Sequence, residues 1–319
     1  MLHVMAARRF FCAILALLVI PLGVEATKKE GEKRIALSFD DAPRPDGPWF
    51  TGDERAERLI ASLARTDAVP SVFFVTTGGF EKESGGRERV RGYAEAGHLI
   101  GNHSHAHLWL HRTETEAYLA DLDRAEDALA GLPNRRAWFR FPFLDEGRSD
   151  LEKRDAARSA LTARGLSSGY VTVDTYDWHL ADRLSQAVSD GRTVDRAALR
   201  DVYVAMIVEA AEHYDRMALR TLGRRPVQML LLHENDPAAA FIADAVKALR
   251  DEGWTIVSPD EAYADPLAQT MPQTTFSGMG RIAALAFDQG ARGADAFDHW
   301  SASDVGIDTR LEQAGAFGD

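Results

Sequence analysis

Short apolar runs alternate with longer helical patterns through most of this chain. Ile35, Leu37 and Phe39 alternate with smaller or polar residues, and 71–76 is a nearly continuous apolar run. Both patterns are typical of buried strands. Between them, the apolar positions of 54–66 recur at the spacing of a single helix face. The same alternation continues as far as Val257 and predicts a parallel sheet with helices packed on it.

The pattern predicts seven strands. They are 34–41, 71–76, 98–101, 138–141, 170–173, 227–232 and 255–257. Two helices, at about 180–189 and 196–222, are predicted to form a long connection before the sixth strand. Seven strand–helix units favour a closed or nearly closed α/β barrel over an open sheet.

Polar side chains follow or end several of the predicted strands. They are Asp40 and Asp41, His103 and His107, Arg140, Asp177 and His233. The carboxyl ends of the strands gather on one face of an α/β barrel, and active sites form there. We therefore expect these side chains to converge on one site.

The adjacent carboxylates Asp40 and Asp41 end the first predicted strand. Neighbouring strand residues point to opposite faces, so one carboxylate could hold a cation while the other accepts a proton. The alternative is a strand end capped by turn-forming acidic residues.

Three histidines, His103, His105 and His107, lie within five residues after the third predicted strand. Their spacing favours a metal site. On a helical turn His103 and His107 share a face while His105 points away, whereas on a strand all three share one face. The helical metalloprotease motif does not fit, because Ser104 stands where it needs Glu.

Two imidazoles and one carboxylate leave coordination positions open for water and substrate. Zn²⁺ suits this ligand set best, with Co²⁺ or another divalent ion as alternatives. The same ligand types also serve iron oxygenases, so the ligands alone do not define the reaction.

Composition and charge indicate an ordinary globular protein and argue against a nucleic-acid partner. The chain has 319 residues, 45% of them hydrophobic and 27% charged, with a formal net charge of −12. These are ordinary globular values, but the negative charge argues against a nucleic-acid surface. No part of the pattern predicts an oligomeric state.

The N-terminus resembles an export signal. Arg8 and Arg9 precede an apolar run of about 13 residues, and Val24 and Ala26 stand at the small-residue positions of a cleavage site. We expect a signal peptide at 1–26, with an uncleaved anchor as the alternative, and a periplasmic or secreted protein with no stable membrane span after cleavage.

Residues 27–265 are predicted to form the catalytic domain. Residues 266–319 are weakly patterned and are either a mobile tail or a cover over one face.

Five short motifs make the chain resemble the polysaccharide deacetylases of the NodB-homology type, carbohydrate esterase family 4. In the order of the family they are Ser38-Phe-Asp-Asp41, the His103 to His107 run, Arg140-Phe-Pro-Phe143, Asp177-Trp178 and Leu231-Leu-His233. The resemblance spans roughly residues 35–258 and implies a distorted (β/α)7 barrel of the NodB type. Each motif alone is weak, but all five in order at strand ends form a strong signal.

The resemblance implies a role for each matched residue. Asp41, His103 and His107 would bind the metal, Asp40 would be the general base and His233 the general acid. Arg140 would orient Asp40, and Asp177 would tune His233. Phe143, Trp178 and Leu231 would wall the acetyl pocket.

The implied activity is removal of N-acetyl groups from a glycan containing N-acetylglucosamine, such as peptidoglycan or a chitin-like oligomer. An O-acetyl sugar esterase and a small cyclic-amide hydrolase are alternatives on the same site, and a glycan-binding protein without catalysis is a third. The chain departs from the family pattern at Ala42, where Gly is usual, and at Phe141, Phe143 and Leu144 in the third motif. These departures leave the identity of the substrate open.

Overall fold

The computed structural model describes residues 31–68, 70–274 and 278–318. Its strands in this part of the chain are β1 (Arg34–Ala42), β2 (Val72–Val75), β3 (Leu99–Asn102), β4 (Arg135–Phe139), β5 (Ser167–Ser168), β6 (Gln228–His233) and β7 (Thr255–Ile256). The predicted signal peptide, 1–26, lies outside the described residues.

All seven strands belong to one parallel sheet with the order β5-β4-β3-β2-β1-β6. β7 pairs with the first residues of β1, ahead of the point where β2 begins to pair. Val173 forms a parallel bridge with Leu230 of β6, which brings the chain after β5 to the other end of the sheet. The sheet therefore curls into a distorted barrel, and the predicted fold class is confirmed.

The predicted strand 170–173 differs from the structure. The strand at this place, β5, is only Ser167–Ser168, and Val173 makes a single bridge. The reason is geometric, because the segment must leave β4 and reach β6 within a few residues. A Cβ on Gly169 would lie 2.6 Å from the Phe74 ring, so the crossing passes too close to the sheet for a larger residue.

Helices surround the sheet. In the described part of the chain they are α1 (Gly52–Arg65), α2 (Gly79–Lys82), α3 (Gly86–Glu95), α4 (Thr115–Leu129), α5 (Leu151–Ala163), α6 (Asp177–Ser189), α7 (Arg196–Leu222), α8 (Asp236–Asp251), α9 (Pro259–Ala264), α10 (Gly280–Asp288), α11 (Ala294–Phe297) and α12 (Asp304–Gln313). Short 3₁₀ helices lie at Leu110–Arg112, Pro142–Leu144, Pro266–Gln269 and Trp300–Ala302. None of the described helices has the length and apolar character needed to cross a membrane.

The long helix α7 anchors the C-terminal extension, residues 266–319. Helices α10 and α12 contact α7, and Ile282, Ile307 and Leu311 are buried in the same core as the inner face of α7. The extension also contacts the crossing after β5, because the N–H of Arg281 donates to the carbonyl of Val171. Its described residues therefore pack against α7 and the crossing after β5.

Candidate active site

One pocket of about 480 Å³ opens at the carboxyl edge of the sheet. Eight of the ten residues predicted for the site line it. They are Asp40, Asp41, His103, His107, Phe143, Trp178, Leu231 and His233. Arg140 and Asp177 lie behind the wall, where they contact Asp40 and His233. The structure thus brings residues from four strand ends into one place.

Asp41, His103 and His107 form a cluster at the pocket wall. One ligand-type atom from each lies within 4.8 Å of the others. Oδ1 of Asp41 is 3.2 Å from Nε2 of His107 and 3.6 Å from Nε2 of His103. Nδ1 of His103 contacts the carbonyl oxygen of Arg140 at 2.9 Å, so it carries the ring proton and leaves Nε2 as the free nitrogen.

The cluster fits a divalent cation. Oδ1 of Asp41 is shielded from solvent and has no hydrogen-bond partner among the described residues. Buried polar atoms without partners are rare and are explained by an ion or a water. A carboxylate oxygen facing two imidazole nitrogens is a donor set that zinc and similar ions accept.

Unusual backbone conformations orient the side chains of the cluster towards one another. Asp41, Ser104 and His107 have φ values of 67°, 69° and 54°, in the left-handed region that non-glycine residues rarely adopt. Side chains pin the turn, since the N–H of Ser104 donates to Asn102 Oδ1 at 2.6 Å and the N–H of His107 donates to Ser104 Oγ at 2.9 Å. Strain of this kind is typical of functional sites.

His105 points away from the cluster. Its Nδ1 lies 3.0 Å from Thr77 Oγ1, and the pocket does not include it. His103 and His107 thus share a face while His105 does not, but the run is not a helical turn, because Ser104 and His107 have left-handed backbone conformations.

The electrostatics of the cluster favour the protonation states of metal ligands. Burial would raise the pKa of Asp41, but His107, His233, His103 and Arg44 together hold it well below its usual range. Burial lowers the pKa of His107 to about 4, although Asp41 opposes that change. At neutral pH the carboxylate is therefore charged and the imidazole of His107 is neutral.

Asp40 is fixed by a buried ion pair. Nη1 of Arg140 donates to Asp40 Oδ1 at 2.6 Å, and both side chains are almost fully buried. Arg140 also donates to Ser38 Oγ, the Gly169 carbonyl and the Tyr263 hydroxyl at 2.7, 2.7 and 3.0 Å. These contacts leave the Oδ2 of Asp40 on the pocket side, 3.6 Å from Nε2 of His103.

His233 is held by Asp177. Nδ1 of His233 is 2.7 Å from Asp177 Oδ1, and Asp177 Oδ2 accepts hydrogen bonds from the His233 N–H and from Asn235 Nδ2. Burial lowers the pKa of His233, but the charge and hydrogen bond of Asp177, with Asp41 and Asp40 further away, raise it to about 9. The imidazole is therefore a cation at neutral pH.

The apolar wall of the pocket is built from Phe143, Trp178 and Leu231. Phe143 is 47% exposed and lies edge-on to His107 and Trp109, with ring centroids 4.4 and 4.5 Å away. Its φ of 60° is a further left-handed conformation at the site. Trp178 stands at the start of α6, and Leu231 is the third residue from the end of β6.

Asp174 is a pocket residue that the motif reading missed. Its carboxyl group is buried at the pocket wall, near His233 and Asp177. Burial is the main reason that its pKa rises to about 8, and Asp177 adds to the rise while His233 opposes it. The sequence feature that could have indicated Asp174 is its position three residues before the motif residue Asp177.

Two further aromatic residues differ in their relation to the site, because one lies outside the pocket and the other contacts Arg140. Trp49, in the loop between β1 and α1, packs against Phe241 and Arg196 and does not line the pocket. Tyr263 of α9, which no motif includes, supports Arg140 from the far side.

The protein is thus an α/β protein with a curled parallel sheet and a candidate metal site, a histidine–carboxylate cluster, at the carboxyl edge of that sheet. Comparison with known proteins adds the family. Residues 27–161 match the family model described as polysaccharide deacetylase. This segment of the chain is therefore similar to the polysaccharide deacetylases.

Solved structures are similar to this chain at low sequence identity. The peptidoglycan deacetylase PdaC from Bacillus subtilis is 18% identical, covers 76% of this chain and 93% of its own, and gives a TM-score of 0.46. The family 4 carbohydrate esterase from Streptomyces lividans in complex with acetate is 18% identical, with 72% and 95% covered and a TM-score of 0.43. A mutant of a CE4 family pseudoenzyme is 17% identical, with 73% and 68% covered and a TM-score of 0.50. No curated protein matches the chain.

Proposed function

We propose that this chain is a metal-dependent hydrolase that removes N-acetyl groups from a glycan containing N-acetylglucosamine, such as peptidoglycan or a chitin-like oligomer. The observation that carries the proposal is the convergence of the Asp41–His103–His107 cluster, Asp40 and His233 on one pocket. The match of residues 27–161 to the polysaccharide deacetylase model supports the same chemistry.

Asp41, His103 and His107 would hold the divalent ion, for which zinc suits the ligand set best and cobalt is an alternative. Such an ion would lower the pKa of a bound water and polarise the acetyl carbonyl. The neutral imidazole of His107 and the charged carboxylate of Asp41 are the forms that bind it.

Asp40 acts as general base and takes the proton of the attacking water. Its carboxylate has one oxygen bound to Arg140 and the other directed towards His103. Because the ion pair is buried and Arg140 has four polar partners, the carboxylate cannot rotate away from the water. Arg140 is thus a positioning residue.

His233 acts as general acid and donates a proton to the leaving nitrogen. An amine leaves poorly as an anion, so a protonated donor is needed at the moment the C–N bond breaks. Asp177 keeps His233 protonated at neutral pH and fixes its ring orientation. Phe143, Trp178 and Leu231 form the apolar wall against which the acetyl methyl group would pack.

The glycan partner and the export signal agree with each other. A peptidoglycan or chitin-like substrate lies outside the cytoplasm, where a protein with a cleaved signal peptide at 1–26 would meet it. We therefore place the mature protein in the periplasm or outside the cell.

The test is release of acetate by the purified mature protein. Chitooligomers and peptidoglycan are compared with O-acetylated sugars, each with added zinc and with a chelator. Asp40→Asn should abolish release and keep the metal, and the surface change Asp123→Asn should alter neither, since Asp123 only pairs with the exposed Arg164. Lack of release from all N-acetyl substrates with the metal bound would overturn the proposal, and release from O-acetyl sugars alone would establish an esterase instead.

A further inference from the structure

A buried arginine that forms no ion pair with any described residue lies on the opposite side of Leu144 from the active-site pocket. Arg281, near the start of α10, is only 4% exposed. Its Nη1 donates to the carbonyls of Leu267 and Ala268 at 3.3 and 3.1 Å, and its guanidinium lies 4.0 Å from the centre of the Tyr170 ring. Its Nη2 is buried and has no hydrogen-bond partner among the described residues.

Arg281 lines a small cavity between α10 and the loop of the third motif. The cavity has a volume of about 40 Å³, and its wall includes Leu144, Glu146, Arg158 and Tyr170. A water needs about 10–15 Å³ of such volume, so the cavity has room for a small ligand. Because Leu144 also lines the active-site pocket, one loop separates the two spaces.

The charges on the cavity wall do not balance. Arg140 is paired with Asp40, and Arg158 is paired with Glu146 at 2.6 Å. No carboxylate of the described residues forms an ion pair with Arg281. Burial lowers the pKa of Arg281 and Glu146 opposes that change, but an arginine in a protein stays protonated. Among the described residues, one buried positive charge is therefore left without a counter-charge, which is costly in a protein interior.

We propose that this cavity binds a small monovalent anion of halide size, held by Nη2 of Arg281. A water would satisfy the N–H donor but would leave the charge uncompensated, whereas an anion does both. The cavity volume of about 40 Å³ has room for a few water molecules, which suits a small ion better than a sugar acid. Chloride is small enough for the cavity and carries the single negative charge that would balance Arg281.

The bound anion would join the C-terminal extension to the third-motif loop. Arg281 belongs to the extension, while Leu144 and Glu146 belong to the loop that carries Phe143. Chloride should therefore stabilise the folded chain, because a ligand that binds only the folded state adds to its stability. The inference is independent of the reaction that the active site performs.

Crystals of the wild-type protein soaked in sodium bromide provide the direct test. We expect an anomalous bromine peak in the cavity, within hydrogen-bond distance of Arg281 Nη2. Bromine peaks elsewhere on the molecule with only water at Arg281 would overturn the proposal. This test needs no variant, so it decides the question even where a substitution prevents folding.

A solution test compares melting temperatures in sodium chloride and sodium gluconate at equal ionic strength. The wild type should melt about 2–4 °C higher in chloride, and Arg281→Gln should lose this difference. Arg292→Gln is the matched control, because Arg292 also donates to carbonyl oxygens on the extension but is exposed, and it should respond like the wild type. An equal chloride response in Arg281→Gln and the wild type would contradict the proposal.

Discussion

The buried pair of Arg140 and Asp40 gives the sharpest prediction for stability. Arg140→Met removes a guanidinium that is 1% exposed and donates to Asp40, Ser38, Gly169 and Tyr263. The substitution leaves the carboxylate of Asp40 buried without its cation. Removing one partner of a buried ion pair typically costs about 3–5 kcal/mol.

That cost should appear as a large loss of stability. At about 2–4 °C per kcal/mol, the melting temperature of Arg140→Met should fall by roughly 6–20 °C. The double variant Asp40→Asn/Arg140→Met no longer buries an unpaired charge, so it should recover at least half of the loss. Neither variant should release acetate, because both lack the positioned base.

The assay is a double-mutant cycle, with urea unfolding of the wild type, both single variants and the double variant at neutral pH. Arg136→Met is the matched control, because its ion pair with Asp260 lies on the surface and should be worth less than about 1 kcal/mol. A loss below about 1 kcal/mol in Arg140→Met, or a double variant no more stable than that single variant, would refute the reasoning.

Three further predictions concern the same site. Asp177→Asn should move the alkaline limb of the activity profile down by about 1–3 pH units, since removal of a neighbouring carboxylate lowers the pKa of His233 from its value of about 9. His107→Gln should lose bound metal in elemental analysis, whereas His105→Gln should keep it, because His105 faces Thr77. Asp174→Asn should raise the stability measured by urea unfolding, and more at pH 8 than at pH 5. The wild-type carboxyl has its pKa raised to about 8, so its stability relative to the variant falls as pH rises from about 4 to about 8.

Each of these predictions has an outcome that contradicts it. An unchanged alkaline limb in Asp177→Asn would mean that another group donates the proton. Equal metal content in His105→Gln and His107→Gln would remove His107 from the ligand set. A stability difference for Asp174→Asn that is the same at both pH values would show that Asp174 is ionised in the folded protein.

The sequence pattern predicted the sheet because its strands are buried and nearly continuous in apolar residues. β1, β2 and β6 lie where the apolar runs place them, and the polar residues after or at the end of β1, β3 and β6 meet at one edge. That convergence follows from parallel topology, which sends the carboxyl ends of the strands to the same side.

Tertiary geometry explains what the pattern could not predict. The segment after β5 spans from β4 to β6, so its apolar residues Tyr170–Val173 lie on a crossing instead of in a regular strand. Tyr263 and Arg281 reach the region around Arg140 from residues more than a hundred positions away, and no local spacing rule indicates such contacts.

The C-terminal extension was weakly patterned because its helices are short and many of the residues of the whole segment are alanine or glycine. Its described residues are nevertheless ordered by packing on α7, where Ile282, Ile307 and Leu311 are buried. Tertiary packing of a few apolar residues, and not helix propensity, therefore determines its structure.

The central claim is that Asp41, His103 and His107 bind one divalent ion beside Asp40 and His233. Anomalous diffraction at the zinc edge, from crystals of the protein purified with zinc, tests it most directly. The account predicts one strong peak at about 2.0–2.2 Å from a carboxylate oxygen of Asp41 and from Nε2 of both histidines. A fully occupied zinc site elsewhere, with no peak between these three side chains, would contradict it.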